Sequence, residues 1–172
     1  MADLPSPHQS APRLDEMCAD AIRRRHRELR RDVRRVREQL RGLATPGSPL
    51  PDIVQQFEGL AAYLELHLVK EENILFPALE ALAEAARAGG SRPPLPFPSV
   101  LNPVRLLEGE HVRVHDLLAR VTEAARLAQP EAPDQRWPAV HGALTALGAT
   151  LAEHVRFEDE VLFPTALEVE RR

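Results

Sequence analysis

Two stretches of the sequence repeat the same pattern of residues that can bind a metal. HLVKEENILFP occupies positions 67–77 and HVRFEDEVLFP occupies positions 154–164, and each has a histidine, a glutamate four residues later and a Leu-Phe-Pro ending. Side chains four residues apart on a helix point in nearly the same direction. His67 is therefore expected beside Glu71, and His154 beside Glu158.

The helix faces that carry these two pairs are apolar. A leucine precedes each histidine by three residues, and Ile74 and Val161 are predicted to continue the two faces after the glutamates, so both faces should point into a core. A single histidine on such a face is usually an ordinary core residue, but an ionised carboxylate is rarely buried without a partner. Neither face carries an arginine, which favours a bound metal ion.

Two further histidines extend the pattern to the other helices. His26 and His111 each lie on an apolar face, one predicted helix before a His/Glu pair. The spacing of 41 residues from His26 to His67 and of 43 from His111 to His154 indicates two copies of one helix pair. The two copies would bring four imidazoles and two carboxylates to one level of a bundle, which is a ligand set for two transition-metal ions.

The number of ligands indicates which metal to expect. Four nitrogens and two bridging carboxylates fill about eight of the roughly twelve positions of two octahedral ions, and an oxo or hydroxo bridge fills about two more. Open positions then remain for a small molecule. Zinc is less favoured because structural zinc takes four ligands and the HExxH pattern of many catalytic zinc sites does not occur. A histidine-rich set suits iron, with manganese second, so two bridged iron ions are the predicted cofactor.

Prolines divide the sequence into four predicted helices. They cluster near the amino end, in TPGSPLP, in GGSRPPLPFP and in QPEAPDQRWP, as is typical of loops. The segments between them are rich in Ala, Leu, Glu and Arg and should be helical, at about 14–42, 52–88, 99–128 and 138–170. The expected fold is an all-α, up-and-down four-helix bundle at 14–170 with a pseudo-twofold repeat, behind a disordered tail at 1–13. Pro77 and Pro164 fall inside helical segments and should end or bend them.

Composition argues against several other classes of protein. The 172 residues suit one domain, and the net charge of −4 with a pI near 6.0 shows no bias toward nucleic acid or anionic membrane. Ten arginines lie between Arg23 and Arg41, but acids are interspersed, so a solvated face is expected rather than a nucleic-acid site. No apolar run could span a bilayer, and the start MADLPSPHQS lacks signal-peptide features. One cysteine, Cys18, builds no disulfide framework. We therefore expect a soluble, cytoplasmic protein.

The motifs resemble those of a known family. From about Leu14 to Leu167 the sequence resembles the hemerythrin-like (HHE) domains, whose His-x-x-x-Glu ligand segments match HLVKEENILFP and HVRFEDEVLFP, with His26 and the His111 of GEHVRVH as the lone-helix ligands. LNPVRLLEGEHVRVHDLL, together with RWPAV and EHVRFEDEVLFP, is similar to the di-iron proteins that repair iron–sulfur clusters after nitric oxide or oxidative damage. Such repair proteins commonly carry an amino-terminal cysteine-bearing domain, for which this sequence is expected to have no room.

The resemblance also adds a seventh candidate ligand. His115 follows His111 by four residues, and a His-x-x-x-His in the third helix resembles the oxygen-carrying hemerythrins, where both histidines bind iron. The other interpretation of His115 is an exposed residue or one outside the ligand set. Tyr63, one turn before His67, is expected in the core, with a hydroxyl that could reach the metals.

Three functions are compatible with these residues. The first is a stress-response protein whose di-iron centre reacts with nitric oxide or peroxide, or donates iron to damaged iron–sulfur proteins. The second is a reversible oxygen or nitric oxide carrier or sensor, which the set with His115 would favour. The third is a metal-free bundle that acts through partners. The pattern leaves open whether a small ligand is held or consumed, and so whether the protein is an enzyme.

Overall fold

A computed structural model gives the fold of the chain and describes residues 13–43, 50–128 and 136–171. In these ranges the chain forms four long helices close to the predicted positions. The first consists of Leu14–Asp20, Ala21–His26 and Arg27–Leu43, the second of Leu50–Lys70, Glu71–Leu75 and Phe76–Ala88, the third of Leu101–Leu127, and the fourth of Trp137–Phe157, Glu158–Leu162 and Phe163–Arg171. The predicted tail at 1–13 lies outside the described residues except for Arg13.

The four helices pack in a closed ring. Each helix contacts the next one along the chain, and the fourth contacts the first. The three described ranges contain no strand, and the all-α four-helix bundle is confirmed. In the same part of the chain, none of the helices has both the length and the apolar character that crossing a bilayer would require.

Buried apolar side chains form two clusters, separated along every helix by polar residues. In the first helix, Ala21 belongs to the smaller cluster and Leu29 to the larger one, with the buried His26 between them. The third helix has the same order along the chain, and the second and fourth helices have the reverse order. Each fully buried leucine or phenylalanine stabilises the fold by about 1.5–3 kcal/mol. The two clusters therefore hold the helices at fixed distances around one polar level.

Three of the four helices contain a π turn, and each π turn lies at this polar level. The turns are Ala21–His26, Glu71–Leu75 and Glu158–Leu162. In the second helix the Phe76 N–H donates to the Glu71 carbonyl, and in the fourth the Phe163 N–H donates to the Glu158 carbonyl. These bonds reach back five residues instead of four, so each π turn takes up an extra residue.

The extra residue changes which side chains point inward after each motif glutamate. A regular helix would place Ile74 and Val161 on the faces of the motif histidines, but these side chains are 48% and 41% exposed. Leu75 and Leu162, one position later, are 1% and 0% exposed. The prediction that Ile74 and Val161 point inward was therefore wrong, because a π turn has more than the 3.6 residues per turn of a regular α-helix.

Pro77 and Pro164 do not end their helices. Each proline comes two residues after a π turn, and the helices continue to Ala88 and Arg171. A proline ring normally meets the carbonyl four residues earlier. The wider turn moves that carbonyl relative to the ring, so the helix can continue past the proline.

The connection from the second to the third helix is held at both ends. Gly89 ends the second helix with φ 63°, a left-handed conformation that favours glycine. At the other end, Glu170 of the fourth helix accepts hydrogen bonds from the Val100 N–H at 2.9 Å and the Ser99 hydroxyl at 2.8 Å. Arg92 also donates to Glu170 at 2.9 Å. The last turn of the fourth helix thereby fixes the start of the third.

Candidate metal centre

The polar level contains six of the seven predicted metal ligands. Each is at most 2% exposed, and they are His26, His67, Glu71, His111, His154 and Glu158. The first and third helices supply one histidine each, and the second and fourth supply one His/Glu pair each. Candidate ligand atoms of all of them except His26 lie within 4.8 Å of one another. The fold therefore brings both halves of the repeat together at one buried place.

The imidazoles surround the two carboxylates. Four approaches are 3.2–3.4 Å long: His67 Nε2 to Glu71 Oε1 at 3.2 Å, His111 Nε2 to Glu158 Oε2 at 3.2 Å, His26 Nε2 to Glu71 Oε2 at 3.4 Å and His154 Nε2 to Glu158 Oε2 at 3.4 Å. His26 Nε2 also lies 3.9 Å from Glu158 Oε1. His26 thus approaches both carboxylates and links the two halves of the centre.

The atoms that face the middle of this group make no hydrogen bond. They are the Nε2 atoms of the four histidines and both carboxylate oxygens of Glu71 and Glu158, all of them buried. One buried polar atom without a partner costs about 1–3 kcal/mol, so this concentration would be costly if nothing joined these atoms. Imidazole nitrogens and carboxylate oxygens are both transition-metal ligands. The chemistry and burial of the set therefore fit bound metal cations.

Three of the histidines donate from their other ring nitrogen to a carboxylate that was not predicted from the sequence. The bonds join His26 Nδ1 to Glu72 at 2.7 Å, His67 Nδ1 to Glu110 at 3.1 Å and His111 Nδ1 to Asp159 at 2.9 Å. A carboxylate in this position keeps the ring proton on Nδ1 and leaves the Nε2 lone pair free for a metal. These bonds orient the imidazoles toward the centre.

A signal for these carboxylates was present in the sequence. Glu72 and Asp159 directly follow the two motif glutamates, and Glu110 directly precedes His111. Arg30 donates to Glu72 at 2.7 Å, and Lys70 pairs with Glu110. Burial opposes ionisation of Glu72 and Glu110, but their basic partners and the histidines hold the pKa of each below its ordinary value. Both therefore stay ionised near neutral pH.

The phenylalanine of each Leu-Phe-Pro ending stacks on the lone histidine of the same half. The Phe76 ring lies 5.7 Å from the His26 ring, and the Phe163 ring lies 5.9 Å from the His111 ring, measured between centroids. Both phenylalanines are 1% exposed. The repeated ending thus has a structural role, because its aromatic ring closes the apolar cluster against a histidine of the centre.

The two central carboxylates cannot both ionise at low cost without a cation. Burial, and the negative charge of Glu158, raise the pKa of Glu71 well above its ordinary value. Burial also opposes ionisation of Glu158, but His154, His111 and His26 hold the pKa of that carboxyl below its ordinary value. Burial lowers the pKa of His154 to about 3. The histidine is therefore neutral near pH 7, as a metal ligand must be.

Comparison with known proteins identifies the family. The hemerythrin HHE cation binding domain matches residues 18–166, which include all six buried residues of the centre. The chain belongs to this family.

The curated proteins to which this chain is similar include iron–sulfur cluster repair proteins named YtfE. The protein of Edwardsiella ictaluri (strain 93-146) is 30% identical over 159 residues, which cover 90% of this chain and 66% of the relative. That of Enterobacter sp. (strain 638) is 31% identical over 117 residues, which cover 63% of this chain and 47% of the relative. That of Escherichia coli O1:K1 is 29% identical over 118 residues, which cover 64% of this chain and 48% of the relative. The chain thus spans between about half and two thirds of the length of these relatives.

The seventh candidate ligand of this HHE domain lies elsewhere. His115 is exposed on the third helix and does not join the buried group. His141 packs its ring 6.0 Å from that of Trp137, and His8 lies outside the described residues. Tyr63 is partly buried and packs against the larger apolar cluster. On a regular helix His115 is rotated by about 40° from His111. At this place that rotation is enough to expose His115, whereas Val114, its neighbour in sequence, is buried.

Proposed function

We propose that the six buried residues bind two iron ions, and that the chain uses this centre to react with or bind small oxidants such as nitric oxide, peroxide or oxygen. The observation that supports this most strongly is the set of four nitrogens and four oxygens buried without hydrogen bonds between two apolar clusters. Metal cations can satisfy all of these atoms together, because each atom offers a lone pair.

The composition of the ligand set favours iron. Imidazole also suits zinc and copper, and carboxylate suits manganese, but zinc sites are usually complete with four ligands. Four imidazoles and two carboxylates supply more donors than one zinc site uses. The relatives described above are named for repair of iron–sulfur clusters, which connects the family with iron chemistry.

The side chains of this centre have separate tasks in binding and orientation. Glu71 presents one oxygen to His67 and the other to His26, so its carboxylate would hold metal together with both histidines. Glu72, Glu110 and Asp159 retain the Nδ1 protons and direct the Nε2 lone pairs inward. The apolar clusters on both sides restrict the access of water. Bound iron ions would supply one-electron redox chemistry and open coordination positions for a small ligand.

We place this centre in a stress response that protects or repairs iron centres. Damaged iron–sulfur proteins are then the expected macromolecular partners, and the cytoplasm is the expected location. The carrier alternative depended on His115 as a further ligand, and the exposure of His115 removes that support. We therefore favour reaction with oxidants or iron donation over reversible oxygen carriage.

A metal count tests the proposed centre. Protein loaded with ferrous iron without oxygen should hold two irons per chain, and the double variant Glu71→Ala with Glu158→Ala should lose both. The matched control is Glu84→Ala with Glu160→Ala, which removes two exposed carboxylates from the same helices and should keep both irons. Two irons in the Glu71/Glu158 variant would overturn the assignment.

A repair assay tests the role. The iron-loaded chain is incubated with a [4Fe–4S] enzyme that nitric oxide has inactivated, and enzyme activity is followed over time. We expect faster recovery than with the same amount of free ferrous iron or with the Glu71/Glu158 variant. Optical spectra after addition of oxygen, peroxide or nitric oxide show whether each ligand is held or consumed. Recovery no faster than with free iron would contradict the repair role.

A further inference from the structure

The four histidines of the centre are not supported equally. Three of them donate from Nδ1 to a carboxylate, as described above. The Nδ1 atom of His154 is buried and makes no hydrogen bond. A histidine without such a partner is less firmly oriented and is a weaker metal ligand. His154 is therefore the one histidine of the centre whose ring is not oriented by a carboxylate.

The pseudo-twofold repeat shows which residue occupies the place of the missing carboxylate. Glu110 directly precedes the lone histidine of the second half and accepts the bond from His67. The residue that directly precedes the lone histidine of the first half is Arg25. The ring pairs are also equivalent, because His26 lies 5.3 Å from His154 and His67 lies 4.8 Å from His111, measured between centroids. Arg25 thus stands beside His154 where symmetry would place a glutamate.

The partners of Arg25 support this equivalence. Glu110 pairs with Lys70, three residues after His67, and Arg25 lies over the ring of Phe157, three residues after His154, at 4.0 Å. Arg25 also donates to the carbonyl of Glu153, directly before His154, at 3.3 Å. Its side chain is 12% exposed, and its Nε atom, which is buried and makes no hydrogen bond, lies 3.5 Å from Oδ2 of Asp20, a carboxylate that also binds Arg24. The same pair of positions therefore holds an ion pair in one half and a cation–π contact in the other.

A positive charge at this position should weaken cation binding. A carboxylate next to a ligand histidine raises the basicity of the imidazole and attracts the cation, whereas a guanidinium does neither and repels it. Buried charges are screened less by salt than exposed ones, so the effect should persist at physiological ionic strength.

We propose that Arg25 lowers the affinity of the His154 side for a metal cation, so that the chain binds one cation firmly and a second one exchangeably. This inference rests on the proposed two-metal function. An exchangeable cation next to a firmly held one would suit a protein that gives up a metal ion to an acceptor site while its fold stays intact.

Ferrous iron titrated against a competing chelator, without oxygen, tests the proposal. The wild-type chain should bind two irons in steps whose dissociation constants differ by roughly tenfold or more. Arg25→Glu restores the carboxylate and should tighten the weaker step by about tenfold or more, with little change in the stronger step. Arg25→Met keeps an apolar stem over Phe157 and removes the charge together with the hydrogen bond to Glu153, without adding a carboxylate, so it should tighten the weaker step by a smaller factor.

The matched control is Arg23→Glu, which makes the same charge change at an exposed position on the same helix. It should leave both steps within about twofold of wild type. The proposal would be overturned by any of three results. The two dissociation constants could be equal in the wild-type chain, neither Arg25 variant could tighten the weaker step, or Arg23→Glu could tighten that step as much as the Arg25 variants do. If Arg25→Glu does not fold, Arg25→Met decides. A wild-type chain that binds no iron at all would overturn the proposed function as well, which distinguishes the two failures.

Discussion

The two halves of the repeat present the same atoms to the centre but support them differently. In each half the residue after the motif glutamate accepts a hydrogen bond from the lone histidine, and the motif phenylalanine stacks on that histidine. Outside this shared arrangement, Arg30 binds Glu72 in the first half, whereas the side chain of Asp159 in the second half is 36% exposed. The comparison indicates that spacing within a helix pair determines the inward atoms, while neighbouring helices determine how firmly these atoms are held.

The largest effect should come from the stacked phenylalanines. Phe76→Ala and Phe163→Ala should each lower the free energy of unfolding by about 3–5 kcal/mol, because each removes a buried ring and leaves a cavity. Chemical denaturation measures the loss. Phe97→Ala, at a partly buried position, is the control and should cost clearly less. If only one of the two motif variants were strongly destabilised, the two halves would not be equivalent in packing.

Removal of metal should have the next largest effect on the melting temperature. A cation at about 100–1,000 times its dissociation constant stabilises the native state by about 2.7–4.1 kcal/mol, which corresponds to roughly 10 °C for a chain of this size. We expect apo protein to melt lower by about this amount. The control is Glu71→Leu with Glu158→Leu, whose melting temperature should not respond to iron. Equal melting of apo and loaded wild-type protein would argue against a buried metal centre.

Substitution of the carboxylates that accept the Nδ1 hydrogen bonds of the lone histidines should lower the metal affinity by different factors in the two halves. Glu72→Ala should weaken iron binding by about 10- to 100-fold, because it frees His26 and leaves Arg30 without this partner. Asp159→Ala should weaken binding less, since Asp159 is the more exposed of the two. Competition with a chelator measures both affinities. A larger loss for Asp159→Ala would reverse the comparison.

A smaller, pH-dependent effect should appear at Glu170, for which the first half has only Ala83 at the corresponding position. Burial opposes its ionisation, but hydrogen bonds from Val100, Ser99 and Arg92 hold the pKa of Glu170 below its ordinary value. The native state therefore favours the ionised form. Its stabilisation is fully present above the unfolded pKa and is lost as the pH falls through the folded one.

The variant Glu170→Gln tests this prediction. It should destabilise the fold by about 1 kcal/mol at pH 7, and the difference from wild type should shrink as the pH falls below about 4.5. Thermal melting of both metal-free proteins over this pH range measures it. A difference that does not change with pH would show that the charge of Glu170 contributes nothing.

The smallest effect is expected at His115, whose counterpart in the first half is Arg30. His115→Ala should leave iron content, autoxidation and peroxide consumption unchanged and should alter stability by less than about 0.5 kcal/mol, because the side chain is exposed. A metal count and two kinetic assays are sufficient. Loss of iron in this variant would restore His115 as a ligand and would favour the carrier function.

Most of the fold and the inward residues of the centre could be predicted from the sequence. Proline clusters delimited the four helices, and the repeated His-x-x-x-Glu spacing identified residues that lie together in the structure. Ile74 and Val161 were misplaced because a π turn adds a residue that a regular period does not count. His115 was considered a ligand because its spacing from His111 matched a family pattern. Spacing alone does not show how a helix is rotated against its neighbours.

What the sequence by itself determined was the set of donor types and their order along four helices, because helical periodicity is a local property of the chain. Which carboxylate accepts the Nδ1 hydrogen bond of His26, His67 and His111 was decided only by the tertiary structure; Glu110, for example, meets His67 from a neighbouring helix. The same applies to the position of Arg25 beside the last turn before Glu158–Leu162, the π turn of the fourth helix. Contacts between helices depend on their relative rotation and height, which packing of the two apolar clusters sets.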